Sequence, residues 1–299
     1  LKCYNDVEKR LAIGGIKIYL LLNTNRKVKP ILKWAGGKRK LLPELMQRVP
    51  EEYNCYYEPF VGGGSLLFQL LPEKAVINDA NTELVNLYQV IKNNPHALIE
   101  DMKKHKNNEE YFYTIRKMDR DDETFSKLSD VEKASRILYL NKTCYNGLFR
   151  MNRSHHFNSP FGRYKNPKIL DEETILGISD YFNKSSIEIM NADFEVSLKK
   201  ATKTDFVYLD PPYDPVSETA NFTTYDGNEF GKSEQIRLKK CCDALDKRGV
   251  KFLESNSATD FILEQYQGYH IDHVLMPRMI NSNAKKRGKV EEVLIRNYE

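Results

Sequence analysis

With 299 residues, 40% hydrophobic and 29% charged, the chain has the make-up of a folded globular protein, long enough for one large domain or a catalytic core with an insertion. The net charge of +4 does not by itself mark a nucleic-acid binder. Five cysteines, odd in number and without C-x-x-C spacing, exclude a disulfide framework and a zinc site and point to a reducing, cytoplasmic setting.

The distribution of charge says more than its sum. Residues 11–43, 141–169 and 277–289 contain no Asp or Glu, yet they carry eight, six and five basic residues respectively. Acidic runs elsewhere, such as 119–123, balance them, so a positive face suited to phosphate contact is expected. Taken from the start, residues 1–29 read as an N-terminal extension without an assigned function. Their apolar run at 11–22 is too short, and interrupted by Lys17, to span a bilayer. Lys2, Lys9 and Arg10 imitate a signal peptide, but no small-residue cleavage site follows. The segment Lys33-Trp34-Ala35-Gly36-Gly37-Lys38 is a basic turn with the only tryptophan. On composition alone it reads as capping or packing.

Strand and helix then alternate. Residues 56–60 read as a strand, 62–71 as a glycine-rich turn opening a helix, 75–78 as a strand and 82–92 as a helix with apolar residues at helical spacing. Residues 95–142 read as mostly helical, and 141–167, rich in Asn, Gly, Pro and aromatics, as a hairpin or long loop. Alternation resumes with strands at 187–190, 206–209, 250–253, 270–275 and 292–296 and helices at 233–245 and 259–265. Alternation on both sides of a helical stretch predicts a doubly wound α/β sheet carrying an inserted domain, with chemistry at the carboxyl ends of the strands.

Two constellations fall at such ends. In Glu58-Pro59-Phe60-Val61-Gly62-Gly63-Gly64-Ser65 the glycines let a ligand approach the backbone. Asp79 ends the next strand, where an acid grips a ribose diol or caps a helix. Such a site suits a nicotinamide cofactor or S-adenosylmethionine. The second constellation, Asp210-Pro211-Pro212-Tyr213, decides between them. An adenine amino nitrogen is a poor nucleophile because its lone pair is delocalised into the ring. A carboxylate and a carbonyl preset by two prolines, accepting its N–H bonds, favour a localised lone pair. The Tyr ring stacks on the extruded base. A sulfonium methyl supplies the electrophile, so no metal is expected.

Together, ILKWAGGK, YYEPFVGGGS, INDAN, YLNKTCYNGLFR, FNSPFGRYKNP, VYLDPPYDP and SETANFTTY resemble the Dam family of DNA adenine methyltransferases, including the adenine methylases of GATC-recognising restriction–modification systems. The resemblance runs from about residue 30 to the C-terminus. It implies a Rossmann-like S-adenosylmethionine-dependent methyltransferase sheet with an inserted, mainly helical target-recognition domain: residues 30–82 and 170–299 catalytic, 83–169 target-reading. By this likeness Trp34, Lys38, Phe60, Gly62, Gly64, Asp79 and Asp210 bind the cofactor, with Asp193 and Phe194 flanking its adenine. Asp210, Pro211, Pro212 and Tyr213 form the catalytic pocket. Tyr145, beside Asn146, fills the gap left by a flipped base, and Arg150 and Lys33 read the outer guanines. Leu148 and Pro160 meet a thymine methyl, and Arg163 and Tyr164 hold the flanking backbone.

The implied reaction is adenine-specific methylation of double-stranded DNA, probed best at GATC. The implied setting is a prokaryotic or phage cytoplasm, near the nucleoid, as a monomer or weak dimer, with a cognate restriction endonuclease as a functional partner and no membrane. The 277–289 segment would contact phosphates. One departure is Glu254, directly before the family's usual Ser-Asn pair (Ser255, Asn256), which is expected to face away from the pocket. The extension before Val28 is another. Competing readings are a catalytically inactive DNA-binding relative, an RNA or protein-glutamine methyltransferase and a nicotinamide oxidoreductase. The methyltransferase rivals usually carry Asn where Asp210 stands, and the oxidoreductase has no use for the proline–tyrosine turn.

Overall fold

The computed structural model describes residues 28–34, 38–152, 154, 156–216, 230–277 and 289–299, with the backbone alone for 12–13, 16–17, 277 and 289–290. Most of the 277–289 segment, Gly36, Gly37 and the SETANFTTY stretch lie outside the described residues. Near the N-terminus, β1 (Ala12–Ile13) and β2 (Ile16–Lys17) pair antiparallel.

The main sheet has seven strands: β3 (Tyr56–Glu58), β4 (Lys74–Asn78), β5 (Ser186–Met190), β6 (Phe206–Leu209), β7 (Lys251–Ser257), β8 (His270–Pro277) and β9 (Lys289–Arg296). Their order is β5-β4-β3-β6-β7-β9-β8, parallel except that β9 runs against both its neighbours. This mixed α/β architecture agrees with the expected Rossmann-like methyltransferase sheet. The order reverses between β3 and β6, and the crevice beyond their carboxyl ends is where a ligand fits.

Period-two alternation sorts the strand side chains into two cores. Tyr56, Phe206, Tyr208, Leu253 and Leu294 pack on one face, and Tyr57, Val207, Leu209, Phe252, Val293 and Ile295 on the other. The first face is covered by α1 (Leu42–Met46), α2 (Leu67–Leu70), α3 (Thr82–Asn93), α4 (Pro95–Met102), α5 (Glu109–Lys117), α7 (Asp130–Thr143) and α8 (Glu172–Lys184), with α6 (Asp122–Ser126) outside this core. The second is covered by α9 (Phe194–Leu198), α10 (Lys232–Lys247) and α11 (Asp260–Gln265).

One expectation changes, and another, the mostly helical 95–142 stretch, holds. The helix expected to open at the glycines is the single turn α2, because Leu71 turns left-handed (φ 47°) and Pro72 cannot continue it. The long helical stretch is cut into α4–α7 by competing caps. Asn108, Asp121 and Ser129 each accept a backbone N–H of the helix they start, and Ser129 forms a capping box with Glu132. Arg136 of α7, 2% exposed, bridges Glu83 at 3.1 Å and Asp119 at 2.8 Å. Asp119 in turn accepts the Phe157 N–H, which ties the following hairpin to the helices. That hairpin joins residues 144–151 to 157–161 through bridges Cys144–Phe161 and Met151–Phe157.

Among the described residues, no helix is long and apolar enough to cross a membrane.

Candidate active site

Asp210 stands one residue past β6, at the switch point. Lys38 Nζ reaches its Oδ1 at 2.8 Å, and Ser255 Oγ donates to the same oxygen at 3.0 Å. Burial lifts the Asp210 carboxyl above the ordinary aspartate range, while the ammonium and the hydroxyl oppose that rise. The Lys38 ammonium also lies 4.2 Å from the centroid of the Tyr213 ring, between carboxylate and aromatic face. Burial pushes the Tyr213 phenol well up, so it stays protonated and donates to Glu292 Oε2 at 2.9 Å. Asp210, Tyr213 and Lys38 therefore meet, and Pro211 and Pro212 form the turn between the first two.

The glycine turn closes the neighbouring side. Gly62 and Gly64 have φ of 47° and 67°, conformations that favour glycine. A Cβ on Gly62 would meet the Trp34 ring at 2.8 Å, so the tryptophan lies directly on the turn. Asp79 accepts the Gly62 N–H on Oδ2 and the Asn81 N–H on Oδ1, each at 2.9 Å. The cap of α3 is Asn81, not Asp79, which leaves the Asp79 carboxylate locked in orientation at the end of β4. Phe60 stacks obliquely on Phe194, ring centroids 5.4 Å apart, and meets Phe230 edge-on at 5.7 Å. Asp193 caps α9 and pairs with Arg237, whose guanidinium covers the Phe194 ring. The set offers aromatic walls, a fixed acidic acceptor and a backbone turn without side chains. These features suit a nucleoside.

On the other side of Trp34 lies the residue group assigned to DNA. The Trp34 ring stacks on Phe149 at 4.8 Å and 16°. Asn141 holds Lys33 through both backbone groups, accepting its N–H at 3.0 Å and donating to its carbonyl at 2.7 Å, and also donates to the Gly147 carbonyl. This single amide ties the Lys33–Trp34 segment to the 145–150 turn. Tyr145 donates its backbone N–H to Pro160, Ser159 donates to Leu148, and Asn158 donates to the Arg150 carbonyl. Lys33 lies over the Tyr164 ring at 5.5 Å. Tyr145 is 55% exposed, and Lys33, Asn146, Arg150, Pro160 and Arg163 are exposed with it. An exposed ring of that size beside exposed cations is unusual for a surface with nothing to bind. The Arg163 side chain is 81% exposed, with Glu109 3.9 Å away.

Sequence reasoning missed Glu292 and Gln235. A Glu on an edge-proximal strand and a Gln on a charged helix read as solvated, and only the fold turns them inward. Ser255 and Asn256 were noted as a pair, and strand alternation divides them: Ser255 faces Asp210, and Asn256 faces α10. Glu254 shares the Asn256 face. It is fully buried against Cys242 of α10 and Tyr266 just after α11, away from the pocket. Burial raises its carboxyl to about 7, partly offset by hydrogen bonds from Tyr266, Asn256 and Cys242 and reinforced by the charge of Asp210. The folded state therefore holds this proton more tightly than the unfolded chain. The stability it contributes is complete below the ordinary Glu value and is lost as pH rises through about 7. At pH 8 the loss is roughly 3 kcal/mol. Glu254→Gln should thus raise Tm at pH 8 and progressively less toward pH 5. Equal gains at both ends in thermal melts would rule out the titration.

Among the described residues, no group of three or more His, Cys, Asp or Glu could hold a metal ion.

A family model described as D12 class N6 adenine-specific DNA methyltransferase matches residues 34–279. The chain is 46% identical over 281 residues to the type II methyltransferase M1.LlaDCHI of Lactococcus lactis subsp. cremoris, covering 93% of this chain and 99% of that relative. It is 40% identical over 291 residues to the type II methyltransferase M.MjaIII of Methanocaldococcus jannaschii, covering 91% and 99%. Against the DNA adenine methylase of Escherichia coli (strain K12) identity is 34% over 275 residues, covering 90% and 95%.

Proposed function

The chain belongs to the D12 class of N6 adenine-specific DNA methyltransferases, and from that premise we propose that it takes its methyl group from S-adenosylmethionine and delivers it to an adenine swung out of duplex DNA within GATC. The observation that carries this reading is the meeting of Asp210, Lys38 and Tyr213 at the switch point, beside Asp79 and the glycine turn.

S-adenosylmethionine, when bound, supplies an electrophilic methyl on a sulfonium. Asp79 would hold the ribose hydroxyls, Phe60 and Phe194 would flank the cofactor's adenine ring, and Trp34, lying on Gly62, would close over it. The target adenine stacks on Tyr213, whose plane is fixed by the Glu292 bond. Its amine gives one N–H to Asp210 and the other to a carbonyl of the turn. Gln235 already donates to the Pro212 carbonyl at 2.8 Å, so we assign the acceptor to Pro211. Two acceptors would pull the nitrogen toward pyramidal geometry. Its lone pair would take the methyl as the carbon–sulfur bond breaks, the neutral thioether leaving and the amine's surplus proton passing by way of Asp210 to solvent. Lys38 yields Asp210 Oδ1 as the amine arrives and keeps the carboxylate compensated.

Residues 83–169 form the target-reading part, and residues 30–82 with 170–299 the part that performs the transfer. Tyr145, beside Asn146, fills the vacated stack. Arg150 and Lys33 reach the outer guanines, Leu148 and Pro160 a thymine methyl, and Arg163 and Tyr164 the flanking phosphates. Asn141 binds the reading turn and the cofactor-closing segment into one unit.

The test is the initial rate of labelled methyl transfer to duplexes that differ only in carrying GATC or a single-base variant of it. A clear preference for GATC is expected; equal incorporation in all of them overturns the specificity. In the same assay Arg150→Ala should relax discrimination at one outer base pair by about 1–3 kcal/mol, the worth of one bidentate base contact. An unchanged preference at every position counts against that role.

A further inference from the structure

The 210–214 turn is poor in its own hydrogen bonds. Pro211 and Pro212 have no N–H to donate, so the turn must be held from outside. Two side-chain amides behind it supply that hold. Gln235 of α10 donates from Nε2 to the Pro212 carbonyl at 2.8 Å. Asn256 of β7 accepts the Asp214 N–H on Oδ1 at 3.1 Å. The two amides also hold each other, Asn256 Nδ2 donating to Gln235 Oε1 at 3.1 Å. We propose that Gln235 and Asn256 are positioning residues for methyl transfer, which set the Asp210–Tyr213 acceptors by gripping the backbone at the far end of the turn, with Glu254 fixing the orientation of Asn256. This inference rests on the assignment of that turn to the target adenine.

Neither amide can flip without loss. Asn256 Oδ1 accepts two backbone N–H groups, from Asp214 and from Ser257, and its Nδ2 donates to Gln235 and to Glu254 Oε1 at 3.0 Å. All four of its hydrogen-bonding positions are therefore used. Because Asn256 fills Gln235 Oε1, the Gln235 amide must present its N–H side to Pro212. Gln235 is 1% exposed and both Asn256 and Glu254 are 0% exposed, so no water competes. Strand alternation completes the device: Ser255 touches the start of the turn at Asp210, and Asn256 touches its end. Adjacent residues of β7 thus fix both ends of the five-residue turn from opposite faces of the sheet. A buried amide network placed there holds a geometry that two prolines make rigid but do not anchor.

The experiment measures single-turnover methyl transfer, with separate dissociation constants for DNA and S-adenosylmethionine, in Gln235→Met. This near-isosteric change removes the Nε2 donor to Pro212 and, with it, the Oε1 acceptor that orients Asn256. The transfer rate is expected to fall on the order of 10- to 100-fold, as for a slight misplacement of reacting groups, with both dissociation constants within about twofold of wild type. Should that variant not fold, Gln235→Asn, which keeps the amide one methylene short, is read in the same way. Leu245→Val, a buried change on the same helix, serves as a structural control and should keep its rate. A Gln235→Met rate within about twofold of wild type, or an equal loss in the control, overturns the positioning role. Asp210→Ala is run alongside. Activity in it removes the site assignment itself, whereas an inactive Asp210→Ala beside a normal Gln235→Met removes this inference alone.

Discussion

Asp210→Ala is expected to lose methyl transfer by on the order of 10³-fold or more, the upper range for deleting one preorganised electrostatic partner in a site that excludes water. The carboxylate is the charged acceptor assigned to the amine, and Lys38 and Ser255 are both aimed at it. Without it the amine keeps one neutral acceptor, the assigned Pro211 carbonyl. DNA binding should largely survive, because the exposed residues assigned to it lie on the 145–164 hairpin and at Lys33. The fold should also survive, since the stranded Lys38 ammonium already feels the Glu292 carboxylate. Single-turnover incorporation measured beside a DNA titration separates the effects. Normal turnover would remove Asp210 from the chemistry.

Asp79→Ala should show its loss in the cofactor instead. The carboxylate is held by two backbone N–H groups at 2.9 Å, so it meets its ligand without reorganising. Charge-assisted hydrogen bonds are worth roughly 1.5–3 kcal/mol each, and losing the grip on a diol should weaken S-adenosylmethionine on the order of 100-fold. The same substitution frees the Gly62 amide, and with it the turn on which Trp34 rests. Calorimetric titration checks this: unchanged affinity would show that Asp79 only braces the turn.

Much of this was legible in the sequence because the relevant signals are local. The 206–209 strand falls where its apolar run predicts, since all four residues are buried. The turn after it announces itself by two prolines. The glycine turn was equally plain, although the helix behind it was overestimated, because a run of leucines says nothing about the left-handed Leu71 that stops it. β7 runs to Ser257, four residues past the expected Leu253. Its second half, Glu254-Ser255-Asn256-Ser257, is polar, and polar residues read as exposed until their partners are known. Gln235 and Glu292 were hidden for the same reason. Their partners lie 23 and 79 residues away in sequence, and only the sheet order brings them together. The three acid-free tracts pointed to phosphate contact, and the 141–169 tract supplies the exposed Arg150 and Arg163. The 277–289 tract lies largely outside the described residues.

The most direct measurement is nucleoside analysis of unmethylated plasmid DNA after incubation with the purified protein and S-adenosylmethionine. N6-methyladenine should accumulate until GATC sites are filled, and the Asp210→Ala protein should leave the same DNA unchanged. Adenine that stays unmodified throughout, or a methyl group found on cytosine, would contradict the account at its root.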